Sequence, residues 1–146
     1  NTIGKAADCL ASGGVIARCS GKMEWGPRAL GNRTIFATPE DPSINTTLNN
    51  RLDRTEFMPF APIVRDIDAS RYFIGLDKCK SASRFMTICL RTTEEFQQKC
   101  PAAVHVDKTA RPQILSKQEN PEVYQLLTAV GERTGTPVLI NTSFKK

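Results

Sequence analysis

The chain has 146 residues, 40% of them hydrophobic and 24% charged, with a formal net charge of +5. That length suits one domain with a single two-layer core, and the balance of apolar and charged residues argues against disorder. No apolar run approaches the ~20 residues that cross a bilayer, and the excess Lys and Arg are spread out rather than gathered into runs, which favours a groove for small anions over a nucleic-acid surface.

Ile3, Ala6, Ala7 and Leu10 recur at helical spacing, and Gly13-Gly14 stops the predicted helix. Val15–Cys19 reads as a short buried strand and Thr34–Ala37 as a second, with the glycine-rich stretch Gly21–Arg33 between them. Asp41-Pro42 starts a helix, the Asp as N-cap and the Pro in the first turn, with Ile44, Leu48 and Leu52 as its apolar stripe. Phe60–Ile67 is strand-like, and Pro59 and Pro62 predict that its early part lies at a sheet edge. Asp68 caps a short helical turn through Phe73, and Phe85–Leu90 alternates loosely as a strand. Thr92 and Glu95 have capping-box spacing for a brief helix that Pro101 closes. Val104–Val106 and Gln113–Leu115 are two more strands around a polar loop. Asn120-Pro121 repeats the N-cap and proline pattern, Val123, Leu126, Leu127 and Val130 share one face, and Gly135 ends that helix. Val138–Ile140 is a last strand, running into Asn141-Thr142-Ser143. The irregular mixing predicts an α/β sandwich with a mixed, largely antiparallel sheet and flanking helices, not a doubly wound fold.

Cys9, Cys19, Cys79, Cys89 and Cys100 are scattered with no CxxC pair, so neither a disulfide framework nor a zinc site is expected. Cys9 and Cys89 fall among apolar positions and read as small core residues, and reduced thiols favour a cytoplasmic protein.

Three polar loops carry the candidate chemistry. In the first, Arg28 and Arg33 flank a Gly-Asn turn, so both guanidinium groups can converge on one anion. Backbone N–H groups freed by Gly26 and Gly31 add a nest for phosphate oxygens, and Lys22, Glu24 and Asn32 complete the polar set. The plainer alternative is a structural loop whose arginines are solvated or pair with Glu24. In the second, Asp107, Thr109 and Arg111 lie within five residues and can position a metal-bound phosphate, with Arg111 as the clamp and His105 as a satisfied partner. In the third, Asn141 and Ser143 follow an apolar strand and offer hydrogen-bond groups to a nucleotide, or mark a simple strand exit. Trp25 and Phe60 read as packing residues, with stacking on adenine the alternative for an aromatic beside the loop, and Met86 reads as core or pocket wall.

The first loop, GKMEWGPRALGNRT, resembles the GRMEWGPRALGNRS signature of the C-terminal domain of NodU/CmcH-type carbamoyltransferases. The segments FMPFAP (Phe57–Pro62), HVDKTARPQ and TGTPVLINTSF follow in the family's order, so the resemblance runs from about Ile3 to Phe144. It implies a YrdC-like fold with a positively charged concave face that binds ATP and carbamoyl phosphate. It further implies formation of carbamoyl-adenylate with release of pyrophosphate, aided by Mg2+. Transfer to a hydroxyl acceptor would then fall to a separate N-terminal domain carrying its own metal, iron being expected. By the same resemblance Arg28, Arg33 and Arg111 are the catalytic set. Lys22, Glu24, Gly26, Asn32, Asp107, Thr109, Asn141 and Ser143 bind substrate or nucleotide, and no metal ligand is expected on this chain. The chain departs from the family pattern at Met58 and Leu52, where members carry Arg and Lys, with Arg51 and Arg54 as candidate replacements. It also departs at Lys108, in place of Gly, and at Lys145, in place of Asn. Residues 1–146 are thus expected to be one such domain cut from a longer protein, with the transfer domain and a closing C-terminal segment outside it. The competing expectation is an RNA-binding YrdC-like module without carbamoyl chemistry.

Overall fold

The structure is a computed structural model that describes residues 1–53 and 59–144. Phe57 and Met58 of the FMPFAP segment, Arg54 and Lys145 lie outside the described residues. Along the chain run α1 (Thr2–Ala11), β1 (Ile16–Cys19), β2 (Arg33–Ala37), α2 (Ser43–Arg51), β3 (Ala61–Arg65), α3 (Ala69–Tyr72) and β4 (Phe73–Ile74). Then follow β5 (Leu90–Thr92), α4 (Glu94–Lys99), β6 (Thr109–Ala110), β7 (Gln113–Leu115), α5 (Pro121–Thr134) and β8 (Val138–Thr142).

Five strands form one sheet in the order β1-β2-β8-β3-β7, antiparallel except for the β3–β7 pair, as the sequence predicts. Side chains alternate across a strand, and the core divides accordingly. Phe36, Ile63, Leu115 and Leu139 meet Ala7 and Leu10 of α1 and Val123, Leu126, Leu127 and Val130 of α5. On the other face, Ile35, Ala37 and Ile140 pack with Leu48 of α2 and with Phe60. Val64, Ile114 and Val138 pack against a second, three-stranded antiparallel sheet, β4-β5-β6, and its helices α3 and α4. Phe96 anchors that region, its ring centroid 5.5 Å from Tyr72 and 5.0 Å from Phe73.

The helix ends follow local chemistry. Asn1 caps α1 by accepting from the Ile3 N–H, and Asn120 caps α5 by accepting from the Val123 N–H. Gly135 closes α5 at φ 77°, a left-handed residue where glycine carries no Cβ penalty.

Four expectations are corrected. Strand β1 is half-exposed rather than buried, because it forms the rim of the sheet and only alternate residues face inward. The open edge expected at the start of β3 is present, since Ala61 and Pro62 pair only with β8 and the β7 ladder begins at Ile63, although the strand as a whole lies between β8 and β7. The Phe85–Leu90 strand starts only at Leu90, since Ala82–Phe85 is a 3₁₀ turn and Met86 takes a left-handed φ of 56°. Val104–Val106 is no strand: the His105 N–H donates to the Thr109 carbonyl and the Lys108 N–H to the His105 carbonyl, closing a turn with Lys108 at φ 63°. The cap of α4 is Thr93, which accepts from the Phe96 N–H, while the Thr92 hydroxyl donates to the Lys108 carbonyl.

The cysteines are also redistributed. All five are free thiols, but Cys9 and Cys89 are exposed and Cys100 is the buried one. Burial pushes the Cys100 thiol far up from its ordinary value, so it stays protonated and inert.

Candidate functional site

The loop between β1 and β2 is organised by one carboxylate. Glu24 Oε1 accepts from the backbone N–H groups of Leu30 (3.0 Å), Asn32 (2.6 Å) and Arg33 (2.9 Å). Partial burial pushes the carboxyl pKa up, but the N–H groups of Arg33, Asn32 and Leu30 together outweigh it and hold Glu24 below its ordinary value. Arg33 closes the same loop from its other side, Nη1 donating to the carbonyls of Ser20 and Asn32 and Nη2 to that of Gly21. Asn32 Nδ2 donates to the Lys22 carbonyl, and Asn120 Nδ2 donates to Asn32 Oδ1. Arg18 ties the far end to the body, donating to the Gly31 carbonyl while ion-paired with Glu122. Gly31 sits at φ 117°, where an added Cβ would lie 3.2 Å from Asn120 Nδ2 and 3.3 Å from Val123 Cγ2, so glycine is required on both conformational and steric grounds.

A loop pinned at its base projects its tip. Met23 is 75% exposed and Trp25 is 100% exposed, so Trp25 is not the packing residue its size suggests. Phe60, by contrast, is buried as expected, and Met86 is both buried and a pocket wall.

Beneath the tip lies a cavity of about 260 Å3 lined by residues from all three predicted loops, among them Arg28, Arg111, Asn141 and Ser143. Pro27, Ala29, Phe60 and Met86 are also part of its walls. A second cleft of about 460 Å3 shares Pro27, Arg28, Met86 and Arg111 with it and extends to Trp25, Leu30, Phe85 and Thr87. Arg28 therefore stands at the junction of a small polar lobe and a larger aromatic-edged one. It is exposed and has no ion-pair partner among the described residues.

Of the predicted candidates, Arg28, Arg111, Asn141 and Ser143 come together at this one cavity, and the others lie elsewhere. The side chains of Glu24, Asn32 and Arg33 are spent inside the loop, and Lys22 contributes its carbonyl there. Gly26, at φ 102°, belongs to the exposed tip. Asp107 and Thr109 form a local unit with His105 and do not line either lobe.

In that unit, Asp107 Oδ1 accepts from both the N–H and the hydroxyl of Thr109, at 3.0 and 2.7 Å. With its proton committed to Asp107, Thr109 Oγ1 is an acceptor for the His105 ring, whose Nδ1 lies 3.0 Å away. That assigns the proton to Nδ1. Burial lowers the His105 pKa, the nearby Asp107 opposes it, and Arg111 adds to the lowering, leaving a net depression. His105 is thus expected to titrate below the ordinary histidine range, with the Nδ1–H tautomer at neutral pH. Nitrogen-15 NMR of the imidazole checks both, and titration above the ordinary value would contradict the relay. Because the folded-state pKa is depressed, the stability contribution of neutral His105 is present above the unfolded value and is lost as pH falls through the folded one.

Gln113 closes the HVDKTARPQ segment but is not among the predicted site residues. Register places it beside Ile63 on β3, and its side chain bridges the Leu30 carbonyl and Asn141 Nδ2. Two signals were available: its place in that segment, and a polar residue heading a short strand otherwise composed of Ile and Leu.

Residues 7–146 match the family model described as "Carbamoyltransferase C-terminus". Among curated relatives, an uncharacterized protein of Methanocaldococcus jannaschii is 44% identical over 95% of this chain and 22% of its own length. Nodulation protein NolO of Bradyrhizobium diazoefficiens is 39% identical over 95% of this chain and 25% of its own length. The chain thus spans about a quarter of the length of these relatives. In fold it is similar to T. kodakarensis HypF, with a TM-score of 0.55 and 18% identity over 95% of this chain and 16% of that one. The collinear motifs, the mixed α/β architecture and the match across nearly the whole chain place it in the carbamoyltransferase C-terminal domain family.

Proposed function

We propose that this domain binds carbamoyl phosphate and ATP side by side in the two-lobed cleft and joins them as carbamoyl-adenylate. The observation that carries the reading is the convergence of Arg28 and Arg111 with Asn141 and Ser143 on one cavity. Both ligands are anions, so a shared site needs cations that the fold has not already neutralised, and Arg28 has no ion-pair partner among the described residues. The lobe of about 260 Å3 suits the smaller ligand, and the lobe of about 460 Å3, edged by Trp25 and Phe85, suits a nucleotide.

In the chemistry proposed, water first cleaves carbamoyl phosphate to carbamate and phosphate. A carbamate oxygen then attacks the α-phosphorus of ATP, the new P–O bond forming as the bond to pyrophosphate breaks. The residues of this chain supply positioning and charge stabilisation, not a covalent intermediate. Among the described residues no group of three or more His, Cys, Asp or Glu side chains is gathered to hold a metal ion. Mg2+ is accordingly proposed to enter on the triphosphate, whose oxygens are its natural ligands.

Transfer to a hydroxyl acceptor is assigned to the remainder of a longer protein, in keeping with the quarter share of its relatives that this chain represents. The test measures pyrophosphate release from ATP with and without carbamoyl phosphate, then acceptor carbamoylation with and without the rest of the protein. Pyrophosphate release that needs both ligands, with carbamoylation only by the longer protein, is the expected pattern. Carbamoylation by residues 1–146 alone would show that the transfer site is misplaced.

A further inference from the structure

Asn141 is 3% exposed, and its neighbours fix which way round its carboxamide lies. Nδ2 donates to the Ala29 carbonyl at 3.0 Å and to Gln113 Oε1 at 2.6 Å. Gln113 is oriented in turn, because its Nε2 donates to the Leu30 carbonyl at 2.9 Å. Both chains of hydrogen bonds end on backbone carbonyls, which can only accept. Reversing the Asn141 amide would set its oxygen against the Ala29 carbonyl and Gln113 Oε1, three acceptors with no proton among them. Asn141 Oδ1 is therefore an acceptor by construction, and it is buried with no donor among the described residues.

An unsatisfied buried acceptor is costly; oxygens of Asn45, Asn49 and Tyr72 are likewise buried without a partner among the described residues, but none of those residues lines either lobe. Asn141 stands in the wall of the small polar lobe, with Arg28 and Arg111 lining the same lobe. The two kinds of group ask for different things. The guanidinium groups want anionic oxygen, whereas Asn141 Oδ1 wants N–H or O–H. The phosphate of an acyl phosphate is largely dianionic at neutral pH and has little proton to offer. A ligand satisfying both must carry an anionic end and a hydrogen-bond donor a few bonds apart.

We infer that Asn141 Oδ1 accepts a hydrogen bond from the NH2 of the carbamoyl group, and that it selects carbamoyl phosphate over acyl phosphates of the same shape. The assignment rests on the proposed carbamoyl-phosphate site and adds the residue that reads its nitrogen. Gln113 is a positioning residue: through its bridge to the Leu30 carbonyl it holds Asn141 in the receptive orientation. Acetyl phosphate is the discriminating probe, because a methyl replaces the NH2 at nearly equal size and cannot satisfy the acceptor.

The experiment measures dissociation constants for carbamoyl phosphate, acetyl phosphate, inorganic phosphate and ATP by calorimetry, on the wild type and on Asn141→Leu. In the wild type, acetyl phosphate should bind roughly 10- to 100-fold more weakly than carbamoyl phosphate, the scale for leaving a buried acceptor unpaired. In Asn141→Leu that ratio should fall towards one, with inorganic phosphate bound as before. Equal affinity of the wild type for the two acyl phosphates overturns the inference while leaving the anion site intact, and this comparison needs no variant to fold. A ratio that persists in folded Asn141→Leu also overturns it, as does a loss confined to ATP, which would give the donor to the nucleotide. Failure of the wild type to bind either carbamoyl phosphate or ATP would instead refute the proposed function itself.

Discussion

Arg28→Ala is expected to weaken binding of carbamoyl phosphate and ATP by about 1.5–3 kcal/mol each, the scale of a lost hydrogen bond to a charged group. Thermal stability should barely change. Arg28 is exposed, has no ion pair among the described residues, and lies on a tip whose shape is set by other residues. Because it lines both lobes, both ligands should suffer, which a residue confined to one subsite would not produce. Calorimetry alongside thermal denaturation separates the two effects. Unchanged affinity in a folded variant would remove Arg28 from the site.

Arg33→Ala should behave differently, although sequence alone treats the two arginines alike. The Arg33 guanidinium holds three carbonyls of its own loop, so its removal releases the loop base and lowers anion affinity only in company with loop order. Amide exchange of residues 20–33 makes the distinction. Weakened binding with unaltered exchange in this segment would restore Arg33 to direct ligand contact.

The second large effect is expected at Glu24. Glu24→Ala strands three N–H donors that now converge on a single oxygen. Water can reach part of this site, so the cost is put at about 2 kcal/mol of local order, not the full sum of three charged hydrogen bonds. Read as hydrogen exchange, that is roughly thirtyfold less protection at Leu30, Asn32 and Arg33. The wild type should show the same loosening in acid. The folded-state pKa of Glu24 lies below its ordinary value of 4.5, so its stabilising contribution is present above that value and is lost as pH falls through the lower one. Protection at these three amides should therefore decline below about pH 4.5 while the α5 amides hold. Equal loss along α5 would mean global unfolding and would deny Glu24 its local role.

How much of this was legible in the sequence depended on the range of the interaction. Caps are local: Asn120 and Gly135 announced both ends of α5, and the structure has them there. Strand neighbours are not local, and Pro62 shows the difference. Proline marks a locally open side, which the first residues of β3 have, but it does not give the strand's place in the sheet, which is interior between β8 and β7. Apolar neighbours misled for Cys9 and Cys89, because exposure follows which face of an element meets the core and not the mean polarity of a stretch.

The same distinction governs the site. The placement of Arg28, Arg111, Asn141 and Ser143 follows because each belongs to a polar stretch adjoining a strand, and the fold brings those stretches to one cavity. What could not be read was the division of labour within the first loop. Glu24, Asn32 and Arg33 look like ligand groups by residue type, yet backbone N–H and carbonyl groups of the loop engage them first. Gln113 was left off the site list for the converse reason: its partners are Leu30, 83 residues away in the chain, and Asn141, 28 residues away.

The central claim is that two anions meet between Arg28 and Arg111, and the most direct measurement is calorimetric titration of ATP and carbamoyl phosphate into the wild type and an Arg28→Ala/Arg111→Ala double variant. The account predicts that the folded wild type binds both ligands and that the folded double variant loses both together. A folded wild type that binds neither, or a double variant that binds both as tightly as before, would contradict it.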